Sequence, residues 1–253
     1  MSSDAGDCSR RCSYLPWLLG SDECADPDPW SAGCAVPNFR HHTEQDEPEH
    51  CTICERAFRR VKKHRHISAT ASILFADIRG YTRLSERMDP IELSNVISVF
   101  QDQCAQGIWA QDGIVNKQMG DGLMAIFNFP IKIERHAEAA MLAALDIQRR
   151  CKAALVPRVK HLDEAAETFG VGVGVHTGQV EIGEFSTARS DFTAIGGAVN
   201  LTARLEAQAA AGEVLVSAES AKLAPGLAAG TSTRSLVLKG IERPVQAHVL
   251  LAG

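Results

Sequence analysis

The sequence predicts an α+β fold: a ferredoxin-like mixed β-sheet with helices packed on it. Short apolar runs bounded by glycine and turn residues, typical of strands, recur through residues 67–253. Between them lie longer segments in which apolar residues recur at helical spacing. The order strand, helices, hairpin, helix, strand is typical of helices that cover one mixed sheet.

The first half of this region gives the core elements. Ser72–Asp77 is an apolar run that predicts a buried strand, and a helical region from about Thr82 to Ala110 is interrupted at Asp89-Pro90, where a new helix can begin. The apolar runs on either side of Gly120-Asp121-Gly122 predict a hairpin. A further helix is expected from about Glu134 to Leu155.

The second half adds strands around one more helix. The alternating small and β-branched run at Phe169–Val175 predicts a closely packed strand. A helix is expected over Ala198–Ala210, stopped by Gly212. The remaining predicted strands are Val180–Phe185, Phe192–Ile195, Glu213–Ser217, Ser235–Lys239 and Pro244–Leu251.

Composition excludes several classes of protein. The 253 residues are 45% hydrophobic and 23% charged, which is ordinary for a globular protein. The net charge of −5 argues against broad electrostatic binding of nucleic acid. Tyr14–Leu19 is too short for a membrane span and lacks the pattern of a secretion signal, so we expect no membrane span and a cytoplasmic location.

Residues 1–66 form a separate segment rich in cysteine and proline. Cysteines at this density, without a secretion signal, indicate metal ligation or thiol redox sensing before disulfides. An unliganded tail is the third alternative. The candidate zinc ligands are Cys51, Cys54 and His64, with Cys8 and Cys12 as a second pair. Because the segment adjoins the first predicted strand, we expect it to regulate the domain at 67–253. Cys104 and Cys151 lie in helical patterns and are expected to be small core residues.

Two aspartates carry the strongest chemical signal. Asp77 closes the first strand, and Asp121 lies in the turn of the hairpin. A strand end and a hairpin turn can be neighbours in a sheet. Mg²⁺ is usually held by one or two carboxylates together with substrate phosphates. The pair therefore predicts a site for a metal-bound nucleotide, although either residue alone could be a helix cap or a turn residue.

Five blocks of sequence together resemble one family, the class III nucleotidyl cyclases. The blocks are FADIRGYT at 75–82, VNKQMGDGLMAIF at 115–127, GVGVHTGQVEIGE at 172–184, DFTAIGGAVNLTARLE at 191–206 and LKGI at 238–241. The resemblance implies an enzyme that converts ATP or GTP into the 3′,5′-cyclic monophosphate. It implies that Asp77, Asp121 and the backbone carbonyl of Ile78 hold two divalent ions, Mg²⁺ or Mn²⁺, against the triphosphate.

The resemblance assigns Lys117 and Thr193 to the purine. Adenine offers an acceptor at N1 and a donor at its exocyclic amine, while lysine only donates and a threonine hydroxyl can accept. The pair therefore favours ATP. A guanylate or mixed-purine cyclase stays open, since lysine could also donate to guanine O6. A silent nucleotide-binding module is the third alternative.

The resemblance also assigns the phosphate contacts. Asn200 would orient the ribose and Arg204, one helical turn further on, would meet the α-phosphate through its fork of donors. Lys239, expected at a strand end, and Arg189 would bind the terminal phosphates. His176 is expected to be structural.

The resemblance further implies a homodimer with two active sites at its interface. In the family the metal aspartates come from one subunit, while the purine-binding residues, Asn200 and Arg204 come from its partner. The family commonly has Gly-Asp where this chain has Gly196-Gly197, and glycine is an acceptable helix N-cap.

Overall fold

In the computed structural model, residues 66–129, 132–159, 169–185, 192–241 and 243–252 are described. Except for His66, they belong to one compact unit, Ile67–Gly253. The helices are α1 (Tyr81–Arg87), α2 (Pro90–Trp109), α3 (His136–Val159), α4 (Gly197–Gln208), α5 (Ala218–Leu223) and α6 (Pro225–Ala228). The strands are β1 (Ile67–Arg79), β2 (Ile114–Met119), β3 (Gly122–Phe127), β4 (Gly170–Glu184), β5 (Phe192–Ile195), β6 (Glu213–Ser217), β7 (Ser232–Leu236) and β8 (Val245–Leu251).

One mixed sheet organises the unit, in the order β2-β3-β1-β4-β6-β8-β7, with β5 paired to β4. Strand β1 lies inside the sheet, where it pairs antiparallel with β3 and, along its full length, with β4. Strands β4 and β6 are parallel, and β8 pairs antiparallel with both β6 and β7. This architecture confirms the predicted α+β class with helices packed on a mixed sheet.

Alternation along the strands divides the core between the two faces of the sheet. Val214 and Val216 of β6 belong to the large core with α2, α3 and α5, while Leu215 packs with Leu205 of α4 and with Ala209, the residue that follows that helix. Successive strand residues point to opposite faces, so α4 packs on the face opposite α2 and α3. Cys104 and Cys151 are buried in the large core, with Sγ atoms 4.0 Å apart, which confirms their expected packing role.

Several predicted element bounds are wrong. The first strand is thirteen residues long rather than six, and Phe169–Val175 and Val180–Phe185 form one continuous strand, β4. β1 pairs with β4 from Ile67 to Arg79. This pairing extends both strands beyond the apolar runs from which they were predicted. The strand expected at Ser235–Lys239 is Ser232–Leu236, which leaves Lys239 in the following loop. Helices α5 and α6 were not predicted.

The start of α4 shows how the paired glycines are used. Gly196 is the N-cap residue, with a φ of 135° that an L side chain rarely adopts. Its carbonyl accepts from the amide of Asn200 at 3.2 Å. The helix thus begins at a glycine N-cap, which has no side chain to accept a hydrogen bond from the first turn.

Candidate active site

The two aspartates predicted as metal ligands lie side by side, one near the end of β1 and the other in the turn between β2 and β3. β1 and β3 pair so that Asp77 lies opposite Gly122, the residue that follows Asp121. The amide of Ile78 donates to the carbonyl oxygen of Asp121 at 3.0 Å, which joins the hairpin turn to the end of β1. A side chain at Gly122 would begin 3.0 Å from Asp77 Oδ1, so glycine leaves that carboxylate room.

Burial and neighbouring carboxylates make it difficult for Asp77 to ionise. Burial, the carboxylate of Glu206 and that of Asp121 raise the pKa of Asp77 from 3.8 to about 7, against the opposing effect of Arg79. Burial also raises the pKa of Glu206. A carboxylate that resists ionisation beside two other carboxylates gains most from a bound cation. The local charge therefore favours a divalent ion.

The donor set fits Mg²⁺ or Mn²⁺ held jointly with a substrate. Within the described ranges, no three His, Cys, Asp or Glu side chains converge on a point where an ion could bind. Two carboxylates alone do not complete a metal site, but they suffice for Mg²⁺, which keeps water and substrate oxygens as its other ligands. Asp77, Asp121 and the Ile78 carbonyl are thus the residues that could hold such ions.

Arg79 is a member of this site that the sequence analysis missed. Its guanidinium donates to Asp77 Oδ2 at 3.1 Å and to the carbonyl of Ala209 at 2.8 Å, and it pairs with the carboxylate of Glu206. Gly172 makes room for it, because any side chain there would overlap the guanidinium. Arg79 therefore ties the end of β1 to the end of α4. The FADIRGYT block contained this arginine, but no pattern linked it to Glu206.

The two residues expected to contact the purine lie on strands that are joined by a side-chain hydrogen bond. Lys117 is exposed on β2, and Thr193 lies on β5 with only 8% of its surface exposed. The hydroxyl of Thr193 donates to Asn116 Oδ1 at 3.1 Å, so the residue next to Lys117 holds Thr193 in place. Asn116 was not singled out from the sequence.

Of the candidates for the ribose and the phosphates, Asn200 and Arg204 lie on α4 and Lys239 lies on the loop after β7. Asn200 is exposed and Arg204 half-buried on the same helix. A side chain at Gly240 would begin 3.4 Å from both terminal nitrogens of Arg204, which puts that guanidinium next to the loop that carries exposed Lys239. Among the described residues, no hydrogen bond or ion pair joins the aspartate pair to Lys117 or Arg204.

Other predicted residues lie elsewhere or outside the described residues. His176 is buried at the centre of β4, where Nδ1 is 2.8 Å from Ser217 Oγ, and burial lowers its pKa. Arg189 and the zinc candidates Cys8, Cys12, Cys51, Cys54 and His64 lie outside the described residues. Their roles stay predictions.

Comparison with known proteins identifies the family. The family of adenylate and guanylate cyclase catalytic domains matches residues 63–251. This chain belongs to that family. Its sequence is similar to an adenylate cyclase of Anabaena cylindrica, with 34% identity over 144 residues, and to adenylate cyclase 1 of Rhizobium meliloti, with 33% identity over 135 residues. Each match covers 53% of this chain but only 26% and 20% of those relatives.

Solved cyclase structures share the fold. The guanylyl cyclase Cya2 superposes with a TM-score of 0.67 at 26% identity, over 74% of this chain and 93% of Cya2. The adenylyl cyclase CyaB from P. aeruginosa gives a TM-score of 0.64 at 27% identity, over 74% of this chain and 96% of CyaB. In the described part of the cyclase domain, no helix has both the length and the apolar character needed to cross a membrane.

Proposed function

We propose that this chain is an adenylate cyclase that converts ATP into 3′,5′-cyclic AMP and pyrophosphate. The observation that carries the proposal is the Asp77–Asp121 pair in a domain of the cyclase family. In the reaction the ribose 3′-oxygen forms a bond to the α-phosphorus. The bond from that phosphorus to the oxygen bridging to the β-phosphorus breaks, pyrophosphate leaves, and the 3′-hydroxyl proton passes to solvent.

The acidic pair is the proposed metal site. Bound Mg²⁺ or Mn²⁺ would supply Lewis-acid chemistry, which activates the 3′-hydroxyl and neutralises charge on the phosphates. Asp77 and Asp121 supply the anionic oxygens that hold such ions. Arg79 fixes the direction of the Asp77 carboxylate by taking up Oδ2.

The cationic side chains serve the phosphates. Arg204 meets the α-phosphate as its charge grows, and its planar fork suits that geometry. Asn200 holds the ribose so that the 3′-oxygen stays in line with the leaving group. Lys239 and Arg189 bind the terminal phosphates, and the exposed ammonium of Lys239 on the loop after β7 suits that task.

Lys117 and Thr193 select adenine in this proposal. Lysine donates to adenine N1, and the Thr193 hydroxyl accepts from the exocyclic amine. The adenylate cyclases of Anabaena and Rhizobium support this assignment, at 34% and 33% identity. A guanylate cyclase is the alternative, favoured by the structural likeness to Cya2 at 26% identity.

We also propose that the active unit is a homodimer. Among the described residues of one chain, no hydrogen bond or ion pair joins the aspartate pair to Lys117 or Arg204, and a second copy could bring such residues to the pair. Each of two sites would then combine Asp77 and Asp121 of one subunit with the purine and ribose residues of the other. Residues 67–253 would form the catalytic domain and residues 1–66 a regulatory segment.

The test uses purified full-length protein with ATP or GTP, each with Mg²⁺ or Mn²⁺, and separates the nucleotide products by chromatography. We expect cyclic AMP in excess, and a loss of kcat on the order of a thousandfold in Asp77→Asn, because the metal's stabilisation of the transition state would be lost. Asp102→Asn, on the exposed face of α2, is the matched control. Cyclic GMP in excess would favour the alternative, and no cyclic product from either nucleotide would contradict cyclase activity itself.

A further inference from the structure

Strand β2 contains a β-bulge directly before Lys117, one of the two residues proposed to contact the purine. Val115 pairs with Ala125 and Lys117 with Met124, so the register shifts between them and Asn116 lies at the β-bulge. A bulge of this kind redirects a side chain, and bulges are frequent beside active sites. Here the residue at the bulge is the one whose side chain reaches Thr193 on β5.

Thr193 is held from two directions. Its backbone lies opposite Gly183 in the pairing of β5 with β4, while its hydroxyl donates to Asn116 Oδ1 at 3.1 Å. The second acceptor within reach of the hydroxyl is the carbonyl oxygen of Ala194, at 3.4 Å. Both partners accept, so the one proton of the hydroxyl is used inside the protein.

A hydroxyl whose hydrogen is already donated within the protein can offer a ligand only lone pairs. The exocyclic amine of adenine is a donor and matches it, whereas guanine presents O6, an acceptor, at the same position. Since Thr193 is only 8% exposed, water has little access to compensate for a mismatch. A site built around a buried hydrogen bond discriminates strongly against the analogue that cannot make it.

Asparagine could act in either direction, because its amide has an oxygen that accepts and a nitrogen that donates. With the nitrogen towards Thr193, the hydroxyl would keep its proton for the ligand and would suit guanine O6. In this structure it is the oxygen that faces Thr193. The orientation of one amide thus decides what the hydroxyl shows to the purine.

We propose that Asn116 is a positioning residue for purine selectivity: its side-chain oxygen accepts the hydrogen bond of the Thr193 hydroxyl, which leaves that hydroxyl as an acceptor for adenine. This role rests on the proposed cyclase function. Asn116 acts through Thr193 and need not touch the nucleotide itself. The bulge at Asn116 is what brings its amide to Thr193 while Lys117, the next residue, keeps its own place on β2.

The test compares a selectivity ratio, kcat/KM for ATP divided by kcat/KM for GTP, among variants of the full chain. Asn116→Leu keeps the size of the side chain but removes the acceptor, and we expect the ratio to fall about tenfold or more. Asn116→Asp has only acceptor oxygens, and we expect a ratio at or above that of the wild type. Partial unfolding would lower both activities alike, so it leaves the ratio unchanged.

A double-mutant cycle isolates the coupling to Thr193. In a Thr193→Val background the hydroxyl is gone, so Asn116→Leu should no longer alter the ratio. Asn95→Leu, the same substitution at an exposed position of α2, is the matched control. An unchanged ratio in Asn116→Leu, or an equal fall with and without the Thr193 hydroxyl, would overturn the proposal.

A binding measurement separates this role from catalysis. Competition of ATP and GTP with a fluorescent nucleotide in Ca²⁺ gives a ratio of affinities that needs no turnover. If the wild type forms no cyclic product but the affinity ratio still falls in Asn116→Leu, the cyclase proposal fails and the role of Asn116 stands. A wild type that prefers GTP in both assays would overturn the role as well.

Discussion

Replacing Asp77 with asparagine should stabilise the protein in the absence of metal while it abolishes activity. In the folded chain burial and two carboxylates raise the pKa of Asp77 from 3.8 to about 7. The unfolded chain therefore ionises this group more readily than the folded one does. The resulting cost to folding is absent below pH 3.8, grows as the pH rises towards 7, and is constant above that.

The magnitude follows from the two pKa values. The difference between 3.8 and about 7 corresponds to at most ~4 kcal/mol. The Asp77 side chain remains 28% exposed, so solvent screening reduces this to about 2 kcal/mol. For a domain of this size, 2 kcal/mol raises the melting temperature by roughly 4–8 °C.

The assay is urea unfolding at pH 4 and pH 8 in EDTA, at one protein concentration, with Asp102→Asn as the exposed control. We expect Asp77→Asn to be more stable than the wild type at pH 8 and close to it at pH 4. Mn²⁺ with ATP should then stabilise the wild type more than the variant, because only the wild type keeps both carboxylates. A variant that is less stable than the wild type at pH 8 would refute the electrostatic reasoning.

Two further perturbations test the packing of β4. Gly174→Ala would set a methyl group against the backbone of α4, 2.6 Å from the carbonyl oxygen of Thr202, and should lower the free energy of unfolding in urea by about 1–3 kcal/mol. Gly226→Ala, which has open space around it, should lower that free energy by less than about 0.5 kcal/mol. Burial lowers the pKa of His176, so its protonation opposes folding and stability should fall as the pH drops through 6.5. His176→Gln should therefore lose less stability between pH 7.5 and 5.5 than the wild type does, and exposed His66→Gln should behave like the wild type; equal losses in both variants would contradict this.

The proximity of Asp77 and Asp121 could be predicted because each lies next to a strong local signal. One follows an apolar run, and the other lies in a glycine turn between two such runs. Once β1 pairs with β3, the two aspartates necessarily lie close together. The alternation of β-branched and small residues likewise indicated β4, since only small residues allow α4 to approach Gly174 so closely.

Arg79 and Asn116 could not be predicted in the same way. The partner of Arg79, Glu206, lies 127 positions away, and no periodic pattern relates the two. The bulge at Asn116 appears only when the registers of β2 and β3 are compared. The length of β4 could not be predicted either, because it is pairing with β1 that continues the strand through Thr177 and Gly178.

The class of fold, the order of its elements and the family could all be predicted from the order of the residues. These depend on local hydrophobic periodicity, turn residues and short motifs, all of which are written in consecutive positions. The ends of β1 and β4, the carboxylates around Asp77 and the acceptor of the Thr193 hydroxyl became clear from the folded chain alone. Each of those depends on atoms from distant segments, because burial, charge and hydrogen bonding act through space rather than along the chain.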